Sequence, residues 1–221
     1  PRLLALRYWA GRRPLRQPVF SLGGVGLALP SVRVDCRTPH SGDSTSTFFT
    51  IGHSTRTLDE FVALLQQSSV DLVVDVRSIP RSRTNPQFNR DSLPAALSQW
   101  QIGYEQLAEL GGLRSRKRGM APSPNGYWQV ASFRNFADYA LTPEFAAGLA
   151  QLRILGTRHH CAIMCAEAVW WRCHRRIIAD YLLASGEQVF HILGRGHVDA
   201  ASLTPGAVVR KDGAIVYPAE A

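Results

Sequence analysis

Residues 47–76, TFFTIGHSTRTLDEFVALLQQSSVDLVVDV, decide the fold. The first five residues are a short apolar run, TFFTI, which polar GHST (52–55) interrupts. Leu58, Phe61, Val62 and Leu65 then recur at the spacing that puts them on one helical face. Thr57 and Glu60 stand three apart as a capping box, each side chain answering the other's backbone N–H, and so set the helix start. VDLVVDV (70–76) is an almost unbroken β-branched run, the pattern of a strand covered on both faces. Strand, helix and strand joined this way run parallel, with a crossover expected to be right-handed.

The same alternation continues outward. Residues 92–101 read as a helix with Leu93, Leu97 and Trp100 turned inward, and IGYEQL (102–107) as a short strand. A long polar loop follows over 111–130, then a helix over 132–140. TPEFAAGLAQLRIL (142–155) is a helix with Thr142 as N-cap and Pro143 in its first turn. HHCAIMC (159–165) is a strand. CHRRIIADYLLASG (173–186) is a helix with Ile177, Ile178, Tyr181 and Leu182 facing inward and Gly186 closing it. EQVFHIL (187–193) is a strand, and no internal repeat is present. Strands separated by helices predict the α/β class: a Rossmann-like three-layer sandwich with a mostly parallel central sheet in a single domain. That domain is expected over 47–221, with its core at about 48–193 and a C-terminal extension at 194–221.

Residues 1–46 differ in composition. They are rich in Arg, Pro, Gly and Ser and carry seven arginines against two acids. They are expected to form a disordered tail or to reflect a misplaced start. VFSLGGVGLAL (19–29) is too glycine-rich for a signal peptide and lacks a small-x-small cleavage site. No run of 18 uncharged apolar residues occurs, so no membrane partner is expected. The net charge is +8, but only two of the 25 basic residues are lysines. We ascribe that uniform arginine bias to coding composition and not to a nucleic-acid footprint. Of the four cysteines, Cys161, Cys165 and Cys173 fall within thirteen residues. That clustering is unlike a secreted disulfide framework, and a reduced, cytoplasmic setting is expected.

The unusual residues lie at strand ends. His53, Ser54 and Thr55 follow the first strand; Asp75, Arg77 and Ser78 end the second; Cys165 and Glu167 end the strand that starts near His160. The carboxyl ends of parallel strands share one edge, where ligands bind, so three clusters distant in sequence are expected to converge. Each cluster alone reads equally as turn and capping chemistry.

TIGHSTRTLDEFVALLQ, VVDVRSIPRSRTNPQF, GYEQLAELGG and CAEAVWWRCHRRIIADYL, in this order and spacing, resemble the bacterial and archaeal domain-of-unknown-function family 488 over roughly residues 48–193. The matching positions are Gly52, His53 and Ser54; Asp75 and Arg77; Pro80 and Ser82; Tyr104; Gly111 and Gly112; Cys165 and Glu167; and Cys173, His174 and Arg175. The resemblance implies a compact α/β domain with a polar site. It implies no reaction.

Chemistry must therefore come from the residues of MCAEAVWWRCHRR (164–176) and the edges that join it. Cys173 is expected at or near a helix's first turn, where free N–H groups and the dipole favour a thiolate; it reads equally as a small buried packing residue. Adjacent helical residues diverge by about 100°, which sets His174 aside as its base and favours His53. Cys165 is the other candidate thiol, and Glu167 a candidate acid or base. Arg77 and Arg175 are expected to clamp an anion, with Ser54, Tyr104 and His174 as further substrate contacts. The spacing C-x7-C-H matches no familiar metal knuckle, so neither a metal nor a cofactor is expected. The basic loop Arg114, Arg116, Lys117 and Arg118, near Tyr127 and Trp128, is the candidate nucleic-acid contact. The expected function is an enzyme acting on a phosphorylated, nucleotide or nucleic-acid substrate by hydrolysis or group transfer. The alternative is a nucleic-acid-binding or regulatory domain without chemistry. An anionic small molecule or a nucleic acid is the expected partner.

Overall fold

The computed structural model describes residues 45–116 and 121–219. The first 44 residues of the expected tail lie outside the described residues, as do Lys117 and Arg118. The chain runs β1 (Thr47–Gly52), α1 (Leu58–Gln67), β2 (Leu72–Asp75), α2 (Leu93–Ser98), β3 (Gly103–Gln106), α3 (Ala131–Tyr139), α4 (Pro143–Gly156), β4 (Cys161–Cys165), α5 (Arg175–Ala184), β5 (Gln188–Gly194) and β6 (His197–Ala200). A hairpin of β7 (Val208–Val209) and β8 (Ile215–Val216) follows.

The sheet order is β3-β2-β4-β1-β5-β6, parallel except for β6. The two strands of the opening βαβ unit are thus parallel but not neighbours, because β4 pairs with both. β4, like β2, is buried along its whole length. The period-2 alternation of strands then divides the core. Leu72, Val74, Cys161, Ile163 and Cys165 pack with Phe136, Phe145, Ile177 and Leu182 of α3, α4 and α5. Val73, Ala162, Met164 and Ile51 pack with Phe61, Leu65, Leu93 and Leu97 of α1 and α2. This is the Rossmann-like three-layer sandwich.

Local signals act as read. Thr57 and Glu60 form the reciprocal capping box, and the Thr142 hydroxyl accepts from the Phe145 N–H. Ile177, Ile178, Tyr181 and Leu182 are buried, and Gly186 takes φ +85° one residue after the α5 cap, Ser185. Trp100 departs from expectation. α2 stops at Ser98, Gln101 reverses the chain at φ 59°, and Ile102 takes the core position while Trp100 is 45% exposed. The segment beyond β5 is built into the fold: Tyr217 is fully buried and donates to Asp180 of α5, which also accepts from the Thr204 N–H. No helix among the described residues is long and apolar enough to cross a membrane.

Candidate functional site

β2, β4 and β1 are neighbours and end at Asp75, Cys165 and Gly52, so the residues beyond each end stand side by side at the carboxyl edge. The His53 N–H donates to the Cys165 carbonyl at 2.9 Å, and the Val76 N–H to that of Met164 at 3.0 Å. Gly52 is required by this closeness: a Cβ there would fall 1.8 Å from the Glu167 carbonyl oxygen. The pleat then sorts the polar side chains into two clusters.

The first cluster centres on Asp75, on the α1/α2 side. Its Oδ1 accepts from the Arg77 N–H at 3.0 Å and from Nε at 2.8 Å; its Oδ2 accepts from Arg77 Nη2 and from the Tyr104 hydroxyl at 2.7 Å. Arg77 Nη2 also donates to the Phe88 carbonyl at 2.7 Å, and Nη1 lies 3.2 Å from His53 Nε2. His53 Nδ1 is 2.9 Å from the Ser54 carbonyl. A carbonyl only accepts, so Nδ1 carries the proton and Nε2 accepts from Arg77. Burial, helped by the Arg77 charge and only partly opposed by the Ser54 carbonyl, brings the His53 pKa down to about 4. The neutral ring stacks on Phe88 with centroids 4.5 Å apart. Burial, and then Asp75, raise the Tyr104 pKa. Ser54 adopts φ 48° and donates its N–H to the Ala166 carbonyl. His53 and Tyr104 are thus tied to Arg77 and Asp75, and Ser54 to the Ala166 carbonyl. Arg77 reaches the cleft described below, but most of its donors are engaged.

The second cluster lies on the α3–α5 side, around Cys173. This residue precedes α5 and is extended (φ −128°, ψ 144°), following a 3-10 turn at Trp170–Arg172. Cys173 does lie next to the helix's first turn, as expected, but it is extended, so the helical geometry that set His174 aside does not apply. His174 Nδ1 lies 3.6 Å from Cys173 Sγ and 4.0 Å from Cys165 Sγ. Its Nε2 lies 3.1 Å from the Val76 carbonyl and donates to it, which leaves Nδ1 facing the sulfurs. The ring is held by Phe136 edge-on at 4.8 Å and by Gly112, where a Cβ would come within 2.4 Å of Nδ1.

Arg175 Nε donates to Cys173 Sγ at 3.2 Å, and Nη2 donates to the Glu167 carbonyl at 2.6 Å. Expected as a substrate clamp, Arg175 is instead fully buried beneath the thiols. Burial alone would raise the Cys173 pKa, but the Cys165 hydrogen bond, the Arg175 charge and His174 outweigh it and hold this thiol well below its ordinary value. Cys165 moves up, because it donates to Cys173 and is buried. The three described cysteines are all free thiols. Cys165 Sγ, Cys173 Sγ and a His174 nitrogen lie within 4.8 Å of one another, the arrangement of a three-ligand metal site; His53 is not part of it.

Both thiols and His174 line a cleft of about 320 Å³, along with Arg77, Ser78, Glu167, Arg172 and Phe133. Ser78 and Phe133 were missed as site residues. Ser78 read as a strand-end polar residue, and Phe133 as an ordinary position on a helix. Arg172 ends the 3-10 turn just before Cys173. The adjacent tryptophans part ways: Trp170 stacks on His191 at 4.4 Å, and Trp171 is 46% exposed. In the basic loop, Arg114 donates to the carbonyls of Gly111 and Ala108 and lies 3.6 Å over the Tyr139 ring, while Arg116 donates to the Ala121 carbonyl.

Fold and site together define an α/β protein with a thiol–imidazole cluster at the carboxyl edge of a parallel sheet. The chain matches the family described as Domain of unknown function DUF488 over residues 57–182, more than half its length, and belongs to that family. Searches of the curated proteins and of the solved structures return no match.

Proposed function

We propose that the protein is a thiol-dependent enzyme acting on a phosphorylated, nucleotide or nucleic-acid substrate by hydrolysis or group transfer, with Cys173 as nucleophile. One observation carries the reading: Arg175 Nε, His174 Nδ1 and the Cys165 thiol all converge on Cys173 Sγ at the wall of a cleft. A nucleophile, a base within reach and a third group orienting that base is the arrangement nucleophilic catalysis needs. Here the orienting group is the Val76 carbonyl.

In the reaction, His174 Nδ1 takes the proton of the Cys173 thiol, and the resulting thiolate forms a bond to the electrophilic phosphorus or carbon. The leaving group departs with the bonding pair and takes a proton from the His174 imidazolium. Neutral His174 then removes a proton from a water or an acceptor hydroxyl, which attacks the covalent intermediate and releases the thiolate. Arg172, with what remains free of Arg77, supplies positive charge for an anionic substrate. Glu167 is the wall carboxylate available to orient the incoming nucleophile. The engagement of Arg114 with its own loop weighs against the binding-only reading.

Iodoacetamide labelling against pH, with a chelator present, tests the assignment. Cys173 is expected to react well below the ordinary thiol range and Cys165 only above it. If both react only in the ordinary range, the nucleophile assignment fails.

A further inference from the structure

We infer that Cys165, Cys173 and His174 also form a binding site for a thiophilic divalent cation, Zn²⁺ above all, and that its occupancy closes the thiol site. The inference uses the same three side chains as the proposed chemistry but does not depend on their catalytic role.

Geometry is the first support. Zn–S distances of about 2.3 Å and Zn–N of about 2.0–2.1 Å at tetrahedral angles put sulfur and nitrogen about 3.6 Å apart, and two sulfurs about 3.8 Å apart. The His174 Nδ1 distances are 3.6 Å to Cys173 Sγ and 4.0 Å to Cys165 Sγ, with all three ligand atoms within 4.8 Å. An inward shift of about 1 Å or less closes the site around an ion.

The surroundings are the second support. A ligating histidine usually donates its far N–H to a carbonyl or carboxylate, which fixes tautomer and orientation. His174 does this to Val76, and so presents Nδ1 as a lone pair. Arg175 donates to Cys173 Sγ, a contact that suits a metal-bound thiolate, since two thiolates neutralise the ion. The trio lines the cleft, so a fourth coordination position opens toward solvent or an exogenous ligand, as in three-ligand sites. Ions of the Zn²⁺ type prefer this S₂N set to Mg²⁺ or Ca²⁺. Binding displaces the Cys165 proton and any proton on His174 Nδ1, so affinity rises with pH. The sulfur lone pair that would attack a substrate is then held by the metal.

The test uses the full chain, stripped with a chelator and reduced with a phosphine. Titration with Co²⁺ is expected to raise a near-ultraviolet thiolate-to-metal band that saturates at one equivalent and is bleached by one equivalent of Zn²⁺. Cys165→Ser and Cys173→Ser should each weaken the band, and His174→Ala should lower affinity by about 100-fold or more. One equivalent of Zn²⁺ should protect both Cys165 and Cys173 from iodoacetamide. Should a buried serine unfold the chain, Gly112→Ala serves instead: its Cβ displaces the His174 ring and should weaken binding. Absence of the band, its persistence in a Cys165→Ser/Cys173→Ser double variant, or unchanged affinity in Gly112→Ala would overturn the inference. Low-pH labelling without metal binding removes this site and leaves the nucleophile; metal binding with ordinary thiols does the reverse.

Discussion

The Asp75 and Cys173 clusters sit at the same sheet edge, and each contains an arginine and a histidine. In the Asp75 cluster the arginine meets both carboxylate oxygens, the histidine has both nitrogens engaged, and a tyrosine adds a second donor to Oδ2. Most of the strong donors have a strong acceptor. In the Cys173 cluster the arginine meets a sulfur, and the histidine keeps a nitrogen turned toward two thiols that border a cleft. The contrast separates bracing from reactivity. Complete pairing rigidifies, whereas a charge placed beside a titratable nucleophile shifts its protonation.

The sharpest way to break this contrast is Arg77→Met. It leaves Asp75 buried without its cation and should cost about 3–5 kcal/mol in urea unfolding. A loss under 1 kcal/mol would mean that the Asp75 cluster does not brace the edge. Arg175→Met should cost less, about 1–3 kcal/mol for the Glu167 carbonyl left unsatisfied. Its distinguishing effect is chemical: the pH midpoint of Cys173 alkylation should climb toward that of an ordinary thiol. An unmoved midpoint would remove Arg175 as the source of activation.

His53 sharpens the comparison through pH. Its folded pKa is about 4 against 6.5 unfolded, so between those values the unfolded chain binds more protons. Its contribution to stability is full above pH 6.5 and is lost as the pH falls toward 4. His53→Gln should flatten this acid-side loss in melting temperature; an equally steep decline would assign it to other groups such as His191, also lowered to about 4 by burial. The smallest effect is expected from Arg114→Ala. Loss of its carbonyl bonds and of the Tyr139 contact should cost about 1 kcal/mol, with no change in DNA or RNA affinity. A salt-dependent drop in that affinity would restore the nucleic-acid reading.

Most of the layering was legible because it follows local periodicity. The α1 capping box, the buried face of α5 and the apolar runs of β2 and β4 are short-range patterns that the structure reproduces. The meeting of three strand ends was legible too, since it needs only that the strands be parallel. The site was less so. His53 and Cys165 stand on adjacent strands and join through the backbone, yet their side chains serve opposite layers: His53 stacks on Phe88 in one core, and Cys165 belongs to the other. Linear spacing carries no information about which neighbour a strand will pair with, and so none about which faces will oppose. The pairing of His174 with Cys173 was hidden for a different reason. It depends on a single residue remaining extended before the helix begins, and helix boundaries are poorly defined by pattern.

Residue order was enough to specify an α/β sandwich, its helix starts, and a polar edge rich in thiol, imidazole and guanidinium groups, because periodicity and capping act within a few residues. Insertion of β4 between β1 and β2 did the rest. That long-range pairing set the pleat register, buried Arg175 beneath Cys173, turned His53 toward Arg77, and left His174 as the imidazole that faces the sulfurs.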